Sequence, residues 1–403
     1  VVEYSRFNTA LIKGGDIEVE IAGSRSESYE KESRKPVVQN ASVEEDLQRR
    51  DLTVNAMAAS LWDNNFGELF DPFGGIKDLR KKRLTTPMDP EQTFSDDPLR
   101  MLRVCRFAAQ LKFDIDDSTF SAIQSQKKRM DIISKERITE EIVKLLKTEI
   151  PSIGFYIMKK SGLLPYVFPE LDIMSGVEVI NGRGHKDVFI HTLQVVDNAA
   201  ALTDKMEIRF AALVHDIAKP QTKRYFKGKG WTFHGHEEIG KRMLRKISRR
   251  MKLGNDLRDY LMLLTKLHLR PIALAKKEIT DSAVRRVMVE AGEHIDDLMI
   301  LCRADITSKN PMKVKRYMGN FERVEALMQD VKMRDEMRAF QSPVRGDEIM
   351  KTLQIAPGKS VGKIKQAIEN AILDGLIENT YDAAFDYMMN IKDEVLNKQP
   401  DKV

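Results

Sequence analysis

His215 and Asp216 are adjacent at the end of the apolar run Phe210–Val214. His191 precedes them, His234, His236 and His268 follow, and Asp305 stands in Arg-Ala-Asp-Ile. Imidazole nitrogens and carboxylate oxygens gathered from several helices suit a divalent metal that activates water for hydrolysis. A lone histidine is more often a satisfied core residue. An adjacent His-Asp pair with further His and Asp around it shifts the balance to metal.

A second constellation suits phosphates and a base. Arg49, Arg50 and Asp51 are adjacent, and Asn55 lies one turn beyond Asp51. Guanidinium groups can grip a triphosphate while the carboxylate takes a ribose hydroxyl. By itself the cluster also describes a surface ion-pair patch. Further on, Pro98 suits a first helical position, which makes Asp97 the expected N-cap. Arg100, Arg103 and Arg106 then follow at i+3 steps on one stripe. Asp97 and Arg100 set an acceptor beside a donor. Cytosine and adenine present an amino donor beside acceptors on the pairing edge, whereas uracil and guanine present a carbonyl and an N–H of the wrong polarity. Such a pair can select C and A without a template. Taken alone, the same residues also describe a capped helix with a basic, solvated face.

These residues need elements to hold them. Ile17-Glu-Val-Glu-Ile21 alternates apolar and acidic, which predicts a half-buried strand. Ser42 to Ser60 reads as a helix or helix-like turn, with Ser42 as N-cap and Glu45 three residues on. Leu69 to Gly75 is turn-rich. From about residue 88 the pattern is almost wholly helical, broken by Tyr225–Phe233, which is compatible with a short hairpin or a loop. The stretch from Lys241 to Lys252 forms a basic amphipathic helix with Leu244, Ile247 and Met251 on its apolar face. The layout is a small α/β domain followed by a long helical body.

The 403 residues suit two or three domains, and 32% charged with 42% hydrophobic residues describes an ordinary soluble protein. A net charge of +5 hints weakly at a polyanionic partner. No apolar run nears the ~18–20 residues of a membrane span, and no signal-peptide pattern is present. Two lone cysteines, Cys105 and Cys302, fit a reducing cytoplasm.

The runs RRDLTVNAMA, LFDPFGGIKDLRKKRL, DDPLRMLRVCRFAAQLKF and ISKERITEEIVKLL occur in order, behind SRSESYEKESRKP. They resemble the consecutive motifs of the class II CCA-adding tRNA nucleotidyltransferases and bacterial poly(A) polymerases. The resemblance implies that Arg50 and Asp51 contact the triphosphate and ribose, with Asn55 beside them. It implies that Asp97 and Arg100 read the base, and that Arg103 and Arg106 face the phosphates or position the pair. It also implies that Arg137 orients the reading helix. His191, His215, Asp216 and Asp305 resemble the core of an HD phosphohydrolase site, with His236 and His268 completing a second metal. Some bacterial CCA-adding enzymes carry that domain behind the transferase head.

The implied fold is α+β: a truncated nucleotidyltransferase palm of mixed sheet and helices, then an all-α neck, HD body and tail. Expected boundaries are 1–86 for the head, 87–150 for the neck that recognises the base, 151–335 for the metal-binding HD body and 336–403 for the tail. The family's transfer chemistry uses Mg2+ on an Asp-x-Asp pair preceded by a Gly-rich turn. Neither occurs upstream of Glu18, so the chain reads as a fragment unable to transfer by itself. Glu18 matches the family's supporting third carboxylate, and Glu20 on the same strand face is the weaker choice. Asp114-Ile-Asp116 has the letters of the metal pair but follows the base-reading helix, and Asp117-Ser-Thr suggests capping there. Expected partners are tRNA, CTP and ATP, with a divalent metal at the HD site, no membrane and a cytoplasmic location. A poly(A) polymerase, a CC- or A-adding enzyme, and an HD metal phosphohydrolase with a vestigial transferase head are the alternative readings.

Overall fold

The structure, a computed structural model of the chain, describes residues 2–4, 9–14, 17–28, 37–180, 183–184, 187–275, 279–339, 342–373 and 376–397. Strands β1 (Val2–Tyr4), β2 (Thr9–Gly14) and β3 (Ile17–Ala22) form an antiparallel sheet in that order, with Lys13 opposite Glu18. The alternating pattern does form a strand, but not a half-buried one. Ile17, Val19 and Ile21 are 68%, 47% and 53% exposed. Alternation specifies a strand, whereas burial needs a second layer, and among the described residues none covers these side chains. Strands β4 (Arg25–Ser28) and β5 (Val37–Asn40) pair next, followed by helix α1 (Val43–Gln48).

Ser42 and Glu45 form a full capping box on α1. The helix is shorter than its sequence suggests. The Asp51 carboxylate accepts from the backbone N–H of Leu52 at 3.0 Å, and Thr53 N–H donates to Thr85 O. Those bonds compete with helical ones and turn the chain into a short 3-10 turn, Thr53–Asn55. Strands β6 (Ala58–Ala59) and β7 (Leu69–Phe70) pair, then α2 (Gly75–Lys81) and β8 (Arg83–Leu84) follow. Asp71 caps α2 by accepting from the N–H groups of Gly75 and Ile76. A Cβ on Gly75 would stand 2.4 Å from Thr53 O, so only glycine lets α2 approach the turn that carries Asn55.

The helical body starts with α3 (Pro90–Asp96) and α4 (Leu99–Leu111). Strand β9 (Asp114–Ile115) pairs in parallel with β8, and Asp116, not Asp117, caps α5 (Asp117–Gln126). Then come α6 (Lys135–Leu146), α7 (Ser152–Ser161), α8 (Leu164–Val167) and α9 (Pro169–Asp172). Strands β10 (Val179–Ile180) and β11 (Arg183–Gly184) precede α10 (Val188–Leu202), α11 (Met206–Val214) and α12 (Lys219–Thr222). The glycine-rich break is a hairpin, β12 (Arg224–Phe226) with β13 (Gly230–Thr232). Helices α13 (His236–Met251), α14 (Asn255–Leu267), α15 (Arg270–Leu274), α16 (Asp281–Ala291), α17 (Ile295–Ala304) and α18 (Pro311–Ala339) follow. One apolar core runs through this unit, from Leu52 to Ala304, and takes in Leu244, Ile247 and Met251 of α13. A Cβ on Gly240 would meet Thr265 Cγ2 at 2.9 Å, which marks how closely α13 packs on α14.

Chain contacts divide the protein into two units, Val1–Ile279 with Arg286–Glu322, and Thr280–Arg285 with Arg323–Val403. The second unit has its own small core, Val344, Ile349, Ile364, Ile368, Ala384 and Met388, from α19 (Gly346–Leu353), α20 (Lys359–Leu373) and α21 (Tyr381–Asn397). No described helix is long and apolar enough to cross a membrane.

Candidate functional site

Two sites lie in the first unit. The first is a polar cavity of about 770 Å3 between the end of α1, the start of α4 and α6. Arg50, Asp51, Asn55, Asp97, Arg100, Arg103 and Arg137 all line it, so residues 87 positions apart in sequence converge on one hollow. Arg25, Arg49, Phe107, Glu140, Glu141 and Lys144 line it as well. Sequence reading gave none of these a role at the site except Arg49. Glu140, Glu141 and Lys144 sit inside a recognised motif, so periodicity on α6 was the available signal.

Asp51 is buried and fully engaged. One oxygen accepts from Leu52 N–H and, at 3.2 Å, from the Asn55 amide. The other pairs with Arg103 Nε at 2.6 Å. Asp51 thus fixes Arg103 and ties α4 to the 3-10 turn. Asp46 plays the same part for Arg49 and Arg50, at 2.6 and 3.2 Å. Burial pushes Asp46 up, but Arg49 and its hydrogen bonds outweigh this and hold its carboxyl below the usual range.

Asp97 adopts an extended backbone, and α4 starts two residues later, at Leu99, with Pro98 in the cap position. The side chain still caps, because its Oδ1 accepts from Leu99 N–H at 3.1 Å. Its Oδ2 pairs with Arg137 of α6 at 3.1 Å. Arg100 Nη1 donates to Thr93 O at 3.4 Å. The carboxylate keeps lone pairs for a further donor, and the guanidinium keeps N–H groups for an acceptor.

Arg106 does not line the cavity. It is 8% exposed, pairs with the buried Glu141 at 2.7 Å and stacks on Phe107 at 4.1 Å. The i+3 stripe drifts around α4, so its third arginine turns into the core and joins α4 to α6. Burial pushes the Glu141 carboxyl up, but Arg106 and Lys144 overcome this and lower it. Glu18 is absent from the cavity too. It sits exposed on β3, 2.8 Å from Lys13.

The second site is built from helix ends. His215, His268 and Asp305 cap the C-termini of α11, α14 and α17, His236 opens α13, and His191 lies in the first turn of α10. Three helix C-termini favour positive charge at this point. Each histidine is anchored through Nδ1. His215 bonds Ala212 O at 2.8 Å, His236 bonds Phe233 O at 2.7 Å and His268 bonds Thr265 O at 2.7 Å. A carbonyl only accepts, so these three Nδ1 atoms carry the proton and leave the Nε2 lone pairs facing inward. His191 Nδ1 meets Thr307 Oγ1 at 3.0 Å.

Asp216 is the centre. Its Oδ2 lies 3.4 Å from His191 Nε2 and 3.2 Å from His215 Nε2. Its Oδ1 lies 3.2 Å from His236 Nε2 and 3.8 Å from His268 Nε2. Asp305 Oδ1 adds 3.0 Å to His191 and 3.6 Å to His215. The donors fall into two groups, His191 with His215 and Asp305, and Asp216 with His236 and His268. His215 Nε2 and both Asp216 oxygens are buried without a hydrogen-bond partner. Buried donors converging this way fit one or two divalent ions.

The buried acids and imidazoles act strongly on one another. Burial pushes the His215 imidazole down, but Asp216 and Asp305 outweigh it and hold it up at about 10. Burial and the His215 charge press His268 down to about 4. Burial pushes Asp216 up, but His215 and Lys219 outweigh it and hold the carboxyl well below its usual range. Lys219 Nζ is 2.5 Å from Asp216 Oδ2. Sequence reading missed Lys219, although its place one turn after the His-Asp pair was the available signal. It missed Thr307 as well. Beside the ions' place opens a hollow of about 630 Å3 that exposes His191, Lys219, Asp305, Lys313 and Tyr317. Asn310 caps α18 by accepting from the N–H groups of Met312 and Lys313.

Three family descriptions match in order: "Poly A polymerase head domain" over residues 1–85, "Probable RNA and SrmB- binding site of polymerase A" over 112–174, and "HD domain" over 188–310. The chain is 31% identical over 333 residues to the "Multifunctional CCA protein" of Psychromonas ingrahamii, covering 80% of this chain and 78% of that one. Its fold resembles the Bacillus stearothermophilus CCA-adding enzyme in complex with CTP, with a TM-score of 0.52, 21% identity, and 98% and 84% of the two chains covered. It also resembles the Thermotoga maritima CCA-adding enzyme complexed with tRNA, with a TM-score of 0.53, 17% identity, and 97% and 80% covered. With head, neck and HD matches in one order and a relative aligned over most of both lengths, the chain belongs to the bacterial family of CCA-adding tRNA nucleotidyltransferases that carry an HD domain.

Proposed function

We propose that the polar cavity binds CTP and ATP in turn for addition of C, C and A to a tRNA 3′ end. The observation that carries this reading is the Asp97–Arg100 pair on the wall of a cavity rich in arginine. Asp97 accepts from the amino group of C or A, and Arg100 donates to the neighbouring ring acceptor. Arg137 is a positioning residue that holds Asp97. Arg50 and Arg103 face the triphosphate, with Asp51 and Asn55 orienting them near the ribose. Arg106 acts at one remove, by joining α4 to α6. Two relatives in fold have a nucleotide or a tRNA in their structures, which supports the same partners here. A cytoplasmic location and the division into head 1–86, neck 87–150, HD body 151–335 and tail 336–403 belong to this reading.

The transfer step in this family uses a divalent metal, and Mg2+ is the ion we assign on the resemblance. Among the described residues the head offers Glu18, exposed and tied to Lys13, and no group of three ligands. At the HD site the residues do fit. His191, His215, Asp216, Asp305, His236 and His268 would hold divalent metal, which acidifies a bound water for attack on a phosphoester. Lys219 and Lys313 line the adjoining hollow and would receive the phosphate charge.

The test is nucleotide incorporation by the full-length protein on a tRNA lacking CCA, with each triphosphate separately and together. Ordered addition of C, C and A with U and G refused is the expected outcome. Long runs of A would make it a poly(A) polymerase. No incorporation would leave the HD centre as the working site.

A further inference from the structure

Apart from the cavity and the metal centre, the first unit has a hollow of about 580 Å3 where α13 ends and α14 begins. Arg245 and Arg249 line it from α13, Lys252 from just past that helix, and Arg258 from α14. One acid is present, Asp259, and Arg258 takes it with two hydrogen bonds of 2.8 and 2.9 Å. Arg249 and Lys252 pair with no carboxylate among the described residues, and Arg245 acts on Asp259 only from a distance. The hollow therefore carries an excess of three positive charges.

Two polar features add to the charge. Ser248 lines the hollow at 1% exposure, and its hydroxyl has no hydrogen-bond partner. The 13-residue helix α14 starts at Gly254 without a side-chain cap, which leaves its first N–H groups to an outside acceptor. The place is also rigid. Thr139 of α6 donates to Met251 O at 2.7 Å, Arg250 pairs with Glu170, and Leu244, Ile247 and Met251 anchor the helix in the core. Those contacts join α13 to the segment 112–174 that matches an RNA-binding description. A solvated basic face would need neither the concavity nor the weld to the neck.

We propose that this hollow seats a backbone phosphate of the RNA substrate, extending its binding surface from the neck onto the HD domain. The inference rests on the reading of the chain as a tRNA-binding enzyme. Phosphodiester contacts of this kind position the RNA without reading its sequence.

The test uses full-length protein and a tRNA lacking CCA, with binding followed by fluorescence anisotropy over a range of salt. Arg249→Glu/Lys252→Glu should weaken binding roughly 30-fold near ~0.15 M salt and lower the salt slope by about one, the share of a single phosphate. The Arg249→Gln/Lys252→Gln variant should lose less and melt at the wild-type temperature, which separates binding from folding. A reversal of Lys227 in the β12–β13 turn should change neither. The KM for CTP should stay the same in every variant. Equal tRNA affinity and slope in wild type and the reversal variant would overturn the proposal. So would protection of wild type alone by inorganic phosphate with tRNA affinity unchanged, because the hollow would then be a free-anion site. Failure of wild type itself to bind tRNA would instead sink the functional reading, and this inference with it.

Discussion

Around the nucleotide cavity three acids each hold an arginine in place. Asp51 holds Arg103, Asp97 holds Arg137, and Asp46 holds Arg49 and Arg50. In the metal centre one carboxylate, Asp216, faces Lys219 and four imidazoles at once. His215 Nε2 and both oxygens of Asp216 are buried and lack a hydrogen bond. The cavity is therefore set before its ligand comes, with guanidinium groups held in place and still able to donate. The centre carries buried ligand atoms, His215 Nε2 among them, that an ion would satisfy. Change at the cavity should grade affinity and selectivity, whereas change at the centre should be all or none.

The largest effect follows from the place of Asp216 between the two donor groups. Asp216→Asn should lose bound metal, read by elemental analysis, and lower metal-dependent hydrolysis by more than the roughly 10–100-fold of an outer-shell change. CCA addition should be unchanged. A variant that retains its ion would show that Asp216 does not join the two groups, and the contrast with the cavity would collapse.

Next in size is Arg106→Met. It leaves Glu141 buried with only Lys144, 3.0 Å away, as partner. Loss of one member of a buried pair costs about 3–5 kcal/mol, and Lys144 puts this case at the low end. The melting temperature should fall while the KM for CTP holds. Arg103→Met should lower the melting temperature less, because Asp51 keeps its bonds from Leu52 and Asn55, but it should raise the KM for CTP, since Arg103 is a third exposed and lines the cavity.

This pair of variants also shows what a sequence makes legible. Arg103 and Arg106 look alike on a stripe, and the difference between them lies in Glu141, 35 residues onward. Asp97 was legible because proline beside it marks a helix start, although the helix itself begins two residues later. The metal residues were legible as an adjacent His-Asp pair with outliers. Their orientation was not, because it comes from backbone carbonyls of Ala212, Phe233 and Thr265, which every residue possesses. The exposure of β3 was hidden for the same reason, since alternation says which way side chains point and not what covers them.

Asp97→Asn should come third. It removes the charge that holds Arg137 and blurs the donor-acceptor polarity of the wall. Contacts of this kind are worth about 1–3 kcal/mol, so C and A incorporation should fall roughly 10–100-fold and the preference over U and G should narrow. An equal loss for all four nucleotides would mean that Asp97 supports the helix without reading the base.

The metal centre supplies a smaller, graded effect through pH. In the metal-free protein His215 is raised to about 10, so its proton stabilises the fold fully below about 6.5 and the gain is lost as pH rises through about 10. An ion must displace that proton. His268, at about 4, is already neutral at pH 7 and has none to give. Burial pushes His191 down, but Asp216 and Asp305 outweigh it and hold its imidazole above the usual value, so it gives up part of a proton as well. Calorimetry in buffers of different ionisation heat should find at least one proton released on metal uptake near pH 7, with affinity rising at least tenfold per pH unit. Uptake without proton release would mean that neither His191 nor His215 is charged beforehand.

The smallest effect belongs to the head, and it separates a surface pair from a working carboxylate. Lys13 and Glu18 are about two-thirds exposed across β2 and β3, where an ion pair is worth roughly 0–1 kcal/mol. Lys13→Ala should therefore leave both the melting temperature and CCA addition unchanged. Glu18→Gln should also keep the melting temperature, yet lower kcat for addition if the carboxylate supports the transfer site. Because stability moves in neither variant, kcat alone carries the answer. An unchanged kcat in Glu18→Gln would return Glu18 to the wet edge of a strand with no part in transfer.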